Sequence, residues 1–135
     1  PGWHCDGVPR NKYSGQPDFQ MAHPYAFHVG LVLSNEASGV SCTQYVSNPI
    51  QPKLWDKEHV FQDLHRQVER IKPQTIFQQD GHFTWYNQKT IHRCRAAGRR
   101  GVRLNIKFSM LEKPQYMNQI VNQTQVYVLT EENGW

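Results

Sequence analysis

The strict alternation of polar and apolar residues from Val102 to Phe108 constrains the fold of this chain more than any other feature. One set of alternate positions is polar and the other is apolar: Arg103, Asn105 and Lys107 against Leu104, Ile106 and Phe108. Successive side chains of a β-strand project to opposite faces of a sheet. The pattern therefore predicts a strand that separates a polar environment from an apolar one.

Several other segments have the composition of strands. The most apolar, Tyr25 to Ser34, predicts a strand that is buried on both faces. Ser41 to Val46 follows a turn at Asn35 to Gly39, so we expect these two strands to form a hairpin. The remaining strand candidates are short: Trp3 to Asp6, Thr75 to Gln78, Phe83 to Tyr86, Thr90 to His92 and Gln125 to Leu129.

Only one segment has a helical period. Val60, Leu64, Val68 and Ile71 recur at intervals of three and four residues, which predicts an amphipathic helix near residues 55–71. Pro73 follows as a stop signal. We expect His59 and His65 on this helix to be surface residues. The predicted fold class is mainly β with one helix, in a single domain covering residues 1–135.

Composition restricts the class of protein further. The chain has 135 residues, of which 16 are aromatic (four Trp, six Tyr and six Phe), too many for a disordered segment. No apolar run approaches the length of a membrane span, and no secretion signal is recognisable. Three cysteines, an odd number without metal-type pairing, indicate reduced thiols. We therefore expect a cytoplasmic protein that does not bind membranes.

His4 and Asp6 form the most distinctive chemical pattern. Residues two apart in a strand project from the same face, so these side chains can bind one ion while Cys5 turns into the packing. A third ligand must come from another strand, and His92 stands at the end of one, with His82 as an alternative. A nitrogen and oxygen donor set without thiolate suits iron(II) or manganese better than structural zinc.

Four motifs in order resemble the 2-oxoglutarate and iron(II)-dependent oxygenase superfamily between Trp3 and Ser109. Trp3-His4-Cys5-Asp6-Gly7 is similar to its W-H-x-D-G motif, and Leu31 to Asn35 with Gly39 and Thr43 to Val46 is similar to its glycine-containing hairpin. Thr90-Ile91-His92-Arg93 resembles T-x-H-R, and Gly101-Val102-Arg103 resembles G-x-R. Val40 departs from the pattern where a second glycine is common.

The resemblance implies a double-stranded β-helix, or jelly roll, in which His4, Asp6 and His92 hold Fe(II). It further implies that Arg103 grips the distal carboxylate of the cosubstrate 2-oxoglutarate, with Asn105 adding a hydrogen bond. The implied reaction is hydroxylation with release of succinate and CO2, and ascorbate is a further cofactor of such enzymes. Three arginines remain alternatives to Arg103 as the anchor: Arg93 (paired with His82), Arg99 and Arg100.

Substrate contacts are the least constrained part of this interpretation. Five residues border the metal motifs in sequence and are candidates: Trp3, Arg10, Tyr13, Trp85 and Tyr86. We expect a small-molecule, amino-acid or peptide substrate. The rival hypotheses are a catalytically inactive jelly roll that binds metal or a small acid, and a basic β-domain that binds nucleic acid through the arginines of residues 93–103.

The position of the first two ligands near residue 1 has a structural consequence. The superfamily supplies a strand and supporting helices before this motif, and the chain starts at Pro1. We therefore interpret the chain as a catalytic core that is steadied by N-terminal sequence or by a partner, or that holds its metal site more loosely than its relatives.

Overall fold

The described part of the chain is mainly β. The computed structural model describes residues 2–14, 16–20, 25–34, 43–53, 59–95 and 103–112. The elements in order are β1 (Ala26–Ser34), β2 (Thr43–Val46), α1 (Val60–Ile71), β3 (Thr75–Phe77), β4 (Phe83–Asn87), β5 (His92–Cys94) and β6 (Arg103–Leu111). The strands form two three-stranded antiparallel sheets, β4-β1-β6 and β3-β2-β5. The predicted fold class, mainly β with one helix, is confirmed at this level.

β1 is the central strand of its sheet and is buried on one face only. Ala26 and Val32 are 1% and 0% exposed, whereas Phe27 and Leu33 are 50% and 42% exposed. The prediction of burial on both faces is wrong, because the second set of side chains lies on the outward face of the sheet. That face carries exposed apolar side chains from all three strands: Phe27, Leu33, Phe83, Trp85, Leu104, Phe108 and Met110.

The predicted hairpin between the first two strands is also wrong. β1 pairs with β4 and β6, while β2 pairs with β3 and β5, so the two strands belong to different sheets. β6 offers β1 a longer partner, in register from Ala26 opposite Leu111 to Ser34 opposite Arg103. The predicted turn at residues 35–39 lies outside the described residues.

α1 contributes the apolar stripe that the sequence period predicted. Leu64 and Val68 are 0% and 1% exposed. The helix ends at Ile71, and Lys72 adopts a left-handed conformation with φ of 50° while its N–H donates to the Val68 carbonyl. Residues 54–58, where the helix was expected to begin, are outside the described residues. The helix packs in a core with residues from the metal motifs: Trp3, Cys5 and Ile91.

The shorter strand predictions have mixed outcomes. Those at residues 75–78 and 83–86 are confirmed as β3 and β4. The strand predicted at Thr90 to His92 overlaps β5 at His92 alone, and β5 continues to Cys94 through residues predicted to be loop. Trp3 to Asp6 forms an isolated bridge rather than a strand, and Gln125 to Leu129 lies outside the described residues. Among the described residues, no helix has the length and apolar character needed to cross a bilayer.

Candidate metal centre

A two-residue bridge places His4 and His92 side by side. The His4 N–H donates to the His92 carbonyl at 3.0 Å, and the His92 N–H donates to the His4 carbonyl at 2.9 Å. Residues paired in this antiparallel manner project their side chains to the same face. Their imidazole ring centroids are 4.5 Å apart. The N-terminal motif and the strand-end histidine therefore meet through the backbone.

Asp6 completes the group, because strand alternation brings it to the same face as His4. Its Oδ2 atom lies 3.4 Å from Nε2 of His92. One ligand atom from each of the three residues lies within 4.8 Å of the others, so the group could hold a metal ion. Cys5, between the two ligands, is buried in the core as predicted. Burial raises the pKa of its thiol to about 12, and the thiol stays protonated.

Backbone carbonyls orient both imidazoles. Nδ1 of His4 lies 2.9 Å from the Gly2 carbonyl, and Nδ1 of His92 lies 2.9 Å from the Thr90 carbonyl. A carbonyl oxygen only accepts hydrogen bonds, so Nδ1 is the donor in both rings and Nε2 is directed to the group. This is the arrangement by which metal-binding histidines are usually held. Burial lowers the pKa of His4, and the neighbouring His92 lowers it further, so His4 is held in the neutral form that binds metals.

The charge of Asp6 suits a cation. The hydrogen bond from His92 is the main cause that holds the pKa of this carboxyl far below its usual range, and a hydrogen bond from Lys107 acts in the same direction. Nε2 of His92 and Oδ2 of Asp6 lie 3.4 Å apart and could both bind one metal ion. Two imidazole nitrogens and one carboxylate oxygen form a donor set that fits iron(II) and related divalent ions.

Two tyrosines stand against the group. The rings of Tyr45 and Tyr86 have centroids 5.5 Å and 5.3 Å from the ring of His92, and 5.3 Å from each other. The Tyr45 hydroxyl donates to Gln78 at 3.2 Å. Burial raises the pKa of both phenols, that of Tyr45 to about 12, so both stay neutral. The sequence reasoning missed Tyr45, which only the register of β2 opposite His92 identifies.

Arg103, the predicted cosubstrate anchor, begins β6 and is half-buried. Its Nη2 atom donates to the Cys94 sulfur at 2.9 Å, which places the guanidinium beside the strand that carries His92. Asn105 shares its face of the strand and is exposed. Both residues therefore occupy positions compatible with the predicted role, which itself stays a prediction.

A second histidine supports the Asp6 backbone. Nε2 of His28 donates to the Asp6 carbonyl at 3.2 Å, and its Nδ1 accepts from the Ser109 hydroxyl at 2.8 Å. Burial lowers the pKa of His28, so the ring is held neutral. His28 therefore ties the Asp6 backbone to the β4-β1-β6 sheet. From sequence, His28 is interpreted as a hydrogen-bonded core histidine in the middle of a strand, with a position lining the cosubstrate pocket as the alternative. Its actual partners could not be named, because they are far away along the chain.

Two of the predicted substrate residues lie elsewhere. Trp3 is only 3% exposed, packs in the α1 core and donates its indole N–H to Glu69 at 2.6 Å, so it does not reach substrate. Trp85 is 68% exposed on the outward face of the sheet, opposite to the face on which Tyr86 meets His92. Strand alternation puts these neighbours on opposite faces of the sheet, so Trp85 does not share the face of the candidate ligands.

The other two substrate candidates lie in the N-terminal segment. Arg10 is exposed and forms an isolated bridge with Pro17, while Tyr13 is 85% exposed beneath the Lys12 ammonium. These contacts leave a substrate role for either residue untested.

The alternative ligand and anchor are not favoured by their positions. His82 is exposed in the turn before β4, with its Nδ1 donating to the Asp80 carbonyl, and it is not part of the candidate group. Arg93 points to the helix side, where it pairs with Glu69 at 2.6 Å and stacks on Trp3. His59 is exposed, as expected, whereas His65 on α1 is half-buried and its Nδ1 accepts from the Trp3 N–H at 3.3 Å.

The described arginines of the arginine-rich segment have different contacts. Arg93 stacks on Trp3, Arg95 lies over the Phe77 ring, and Arg103 contacts Cys94. The sequence neighbours 96–102, which include Arg99 and Arg100, are outside the described residues, as are His23 and Cys42.

Comparison of the chain with protein-family models, with curated proteins and with solved structures finds no match. The function is therefore inferred from the geometry of the site itself.

Proposed function

We propose that this chain is the catalytic core of a 2-oxoglutarate and iron(II)-dependent dioxygenase. The observation that carries the proposal is the convergence of His4, Asp6 and His92, whose ligand atoms lie within 4.8 Å of one another. Three ligands from one side leave further coordination positions for a cosubstrate and for oxygen. Bound there, iron(II) would supply the redox chemistry that couples decarboxylation of 2-oxoglutarate to hydroxylation of a C–H bond.

The strand order supports a jelly roll as the finer fold. The chain leaves the β4-β1-β6 sheet after β1, forms β2 and β3 in the other sheet, and returns at β4. It then crosses to β5 in the β3-β2-β5 sheet and back again to β6. Side chains from both sheets meet at the site, since Tyr45 of β2 contacts Tyr86 of β4. Double-sheet jelly rolls place residues between two such sheets. A double-stranded β-helix would account for this alternation.

Arg103 would bind the distal carboxylate of 2-oxoglutarate. A guanidinium offers a planar pair of donors to a carboxylate and keeps its charge at any working pH. Arg103 donates to the Cys94 sulfur, which is a weak acceptor, so this contact would compete only weakly with a carboxylate. β5 carries both Cys94 and His92, and the cosubstrate would therefore run along this strand from Arg103 to the metal ligands.

The aromatic residues would shield the reacting centre. Tyr45 and Tyr86 pack against His92 and stay neutral, so they add no competing charge to the ligand group. Aromatic rings beside the ligands limit the access of water to a site until substrate is in place. The two tyrosines thus exclude solvent, while His28 fixes the backbone of Asp6.

Metal binding tests the ligand group directly. Cobalt(II), titrated by its visible absorption under anaerobic conditions, should bind the wild-type chain, and His4→Ala and His92→Ala should each lose more than about 100-fold in affinity. His82→Ala is the matched control because this histidine is exposed in a turn. Unchanged cobalt affinity in both ligand variants would exclude the triad.

Cosubstrate binding tests the anchor. We expect 2-oxoglutarate to alter the cobalt spectrum of the wild type, and Arg103→Met to weaken this binding by about 100-fold through loss of a charge-assisted pair. Arg70→Met, on the last turn of α1, is the matched control. Slow release of succinate by the iron-loaded wild type, and not by His92→Ala, would establish turnover. An inactive jelly roll would bind metal without releasing succinate.

A further inference from the structure

Lys107 lies beside the metal-binding atom of Asp6. Its Nζ atom is 2.7 Å from Oδ2 of Asp6, the same oxygen that lies 3.4 Å from Nε2 of His92. Lys107 reaches this position from β6, four residues beyond Arg103 and on the same face. The ammonium of Lys107 would compete with a metal ion for the Asp6 carboxylate. A basic side chain at this position therefore needs a functional explanation.

The charge balance of the site changes when a metal ion binds. Without the ion, Lys107 and Asp6 neutralise each other. With the ion and 2-oxoglutarate bound, the ion, Arg103 and Lys107 bring four positive charges, while Asp6 and the two cosubstrate carboxylates bring three negative charges, so one positive charge is left over. An ammonium beside this excess positive charge is stabilised by an anionic partner. We propose that Lys107 recognises an oxyanion of the substrate, a carboxylate or a phosphate, next to the metal ion.

This inference rests on the proposed function, and it assigns the anion to the primary substrate rather than to 2-oxoglutarate. Under that function the metal ion and Arg103 take the two ends of the cosubstrate. The Cα atoms of Arg103 and Lys107 are about 13 Å apart along the strand. Because the metal ion and Arg103 already take both ends of the cosubstrate, we assign the group held by Lys107 to a second molecule.

The neighbourhood of Lys107 contains polar and aromatic side chains. Gly30 is its registered partner on β1. A Cβ atom at Gly30 would meet Gln78 Nε2 and Tyr86 Cε1 at 3.6 Å, so polar and aromatic atoms border this position. Lys107 itself is 38% exposed, which allows an exchange of partners.

The first test uses the metal alone. Because the ammonium competes with the ion for Asp6, Lys107→Met should bind cobalt(II) about tenfold more tightly than the wild type. Lys89→Met is the matched control, as this lysine is exposed in the turn between β4 and β5. Weaker cobalt binding by Lys107→Met, with an unchanged circular dichroism spectrum, would show that Lys107 only orients Asp6 and would overturn the inference.

The second test uses small anions as probes. The cobalt-loaded, 2-oxoglutarate-saturated protein is titrated with acetate, inorganic phosphate and neutral acetamide. Acetate or phosphate should shift the cobalt bands of the wild type and of Lys107→Arg, and bind Lys107→Met about tenfold more weakly. Acetamide should have no effect. Equal anion binding by the wild type and Lys107→Met, or equal binding of acetate and acetamide, would contradict the inference.

The outcomes separate this inference from the function on which it rests. Failure of the wild type to bind cobalt, or insensitivity to His4→Ala, removes the metal site and the role of Lys107 with it. Cobalt binding that depends on His4, combined with equal behaviour of Lys107→Met and Lys89→Met in both titrations, removes only the role of Lys107.

Discussion

Gly7 provides a sharp test of how the candidate metal centre is built. It follows Asp6 directly and has φ of 72°, a conformation that L side chains rarely adopt. A Cβ atom there would lie 3.1 Å from Nε2 of His28 and 3.2 Å from Cβ of Ala26. His28 has little freedom to move, because it bonds to Ser109 and to the Asp6 carbonyl. Gly7→Ala therefore meets both a backbone cost and a steric one.

The variant Gly81→Ala measures the cost of the backbone conformation without the steric cost. It has the same φ of 72°, but a Cβ atom there meets nothing within 4 Å. Gly81→Ala should lower the free energy of unfolding by about 1 kcal/mol, the cost of a left-handed alanine. Gly7→Ala should lower it by about 2–3 kcal/mol, because close packing adds at least about 1 kcal/mol. The difference between the two variants measures the contact with His28 and Ala26.

The assay is urea denaturation in the presence of a chelator, so that metal binding does not contribute to stability. Cobalt titration of the same proteins gives the functional effect. We expect Gly7→Ala to lose about tenfold in cobalt affinity, since displacement of Asp6 by a fraction of an ångström disturbs the ligand geometry, and Gly81→Ala to keep it. Equal destabilisation by the two variants would refute the packing of Gly7 against His28.

Three further predictions concern the core and the supporting contacts. Leu64→Ala should lower the free energy of unfolding by about 3 kcal/mol and Phe108→Ala by less than about 1 kcal/mol in urea denaturation, because Leu64 is 0% and Phe108 61% exposed. At pH 8, Cys5 should react with iodoacetamide at least about 100-fold more slowly in the folded than in the unfolded protein by mass spectrometry, since burial raises the pKa of its thiol to about 12. Glu69→Gln should cost up to about 1 kcal/mol at pH 7, given its half-exposed pair with Arg93. Hydrogen bonding lowers the pKa of Glu69, so this difference should be complete above pH 4.5, the ordinary pKa, and disappear as the pH falls below it in acid titrations of unfolding.

Local periodicity predicted the elements whose signal lies within a short window. The spacing of Val60, Leu64 and Val68 identified α1, and short apolar runs identified β3 and β4. The alternation of His4, Cys5 and Asp6 predicted that the thiol is buried while its neighbours share one face, and the structure has this arrangement. These predictions needed only the two periods of side-chain direction.

Contacts between segments that are far apart in the sequence could not be predicted in the same way. Alternation shows that a strand has two faces, but neither which face is inward nor which strand lies beside it. The polar face of β6 turns inward because its members have distant partners: Lys107 bonds Asp6 and Ser109 bonds His28. The same limit explains the failed hairpin and the missed Tyr45, which depends on the pairing of β2 with β5.

The segment of residues 3–6, which carries the candidate ligands His4 and Asp6, is held by contacts within the chain. From the sequence, we expect this segment to need support from N-terminal sequence or from a partner. Trp3 is held in the core by α1 and by Glu69, while the Asp6 carbonyl is held by His28. Between them, His4 exchanges two backbone hydrogen bonds with His92. The residues that stabilise this segment alternate with those that would bind metal. Replacing His4 should therefore abolish metal binding and leave folding nearly unchanged, because the anchoring groups belong to its neighbours.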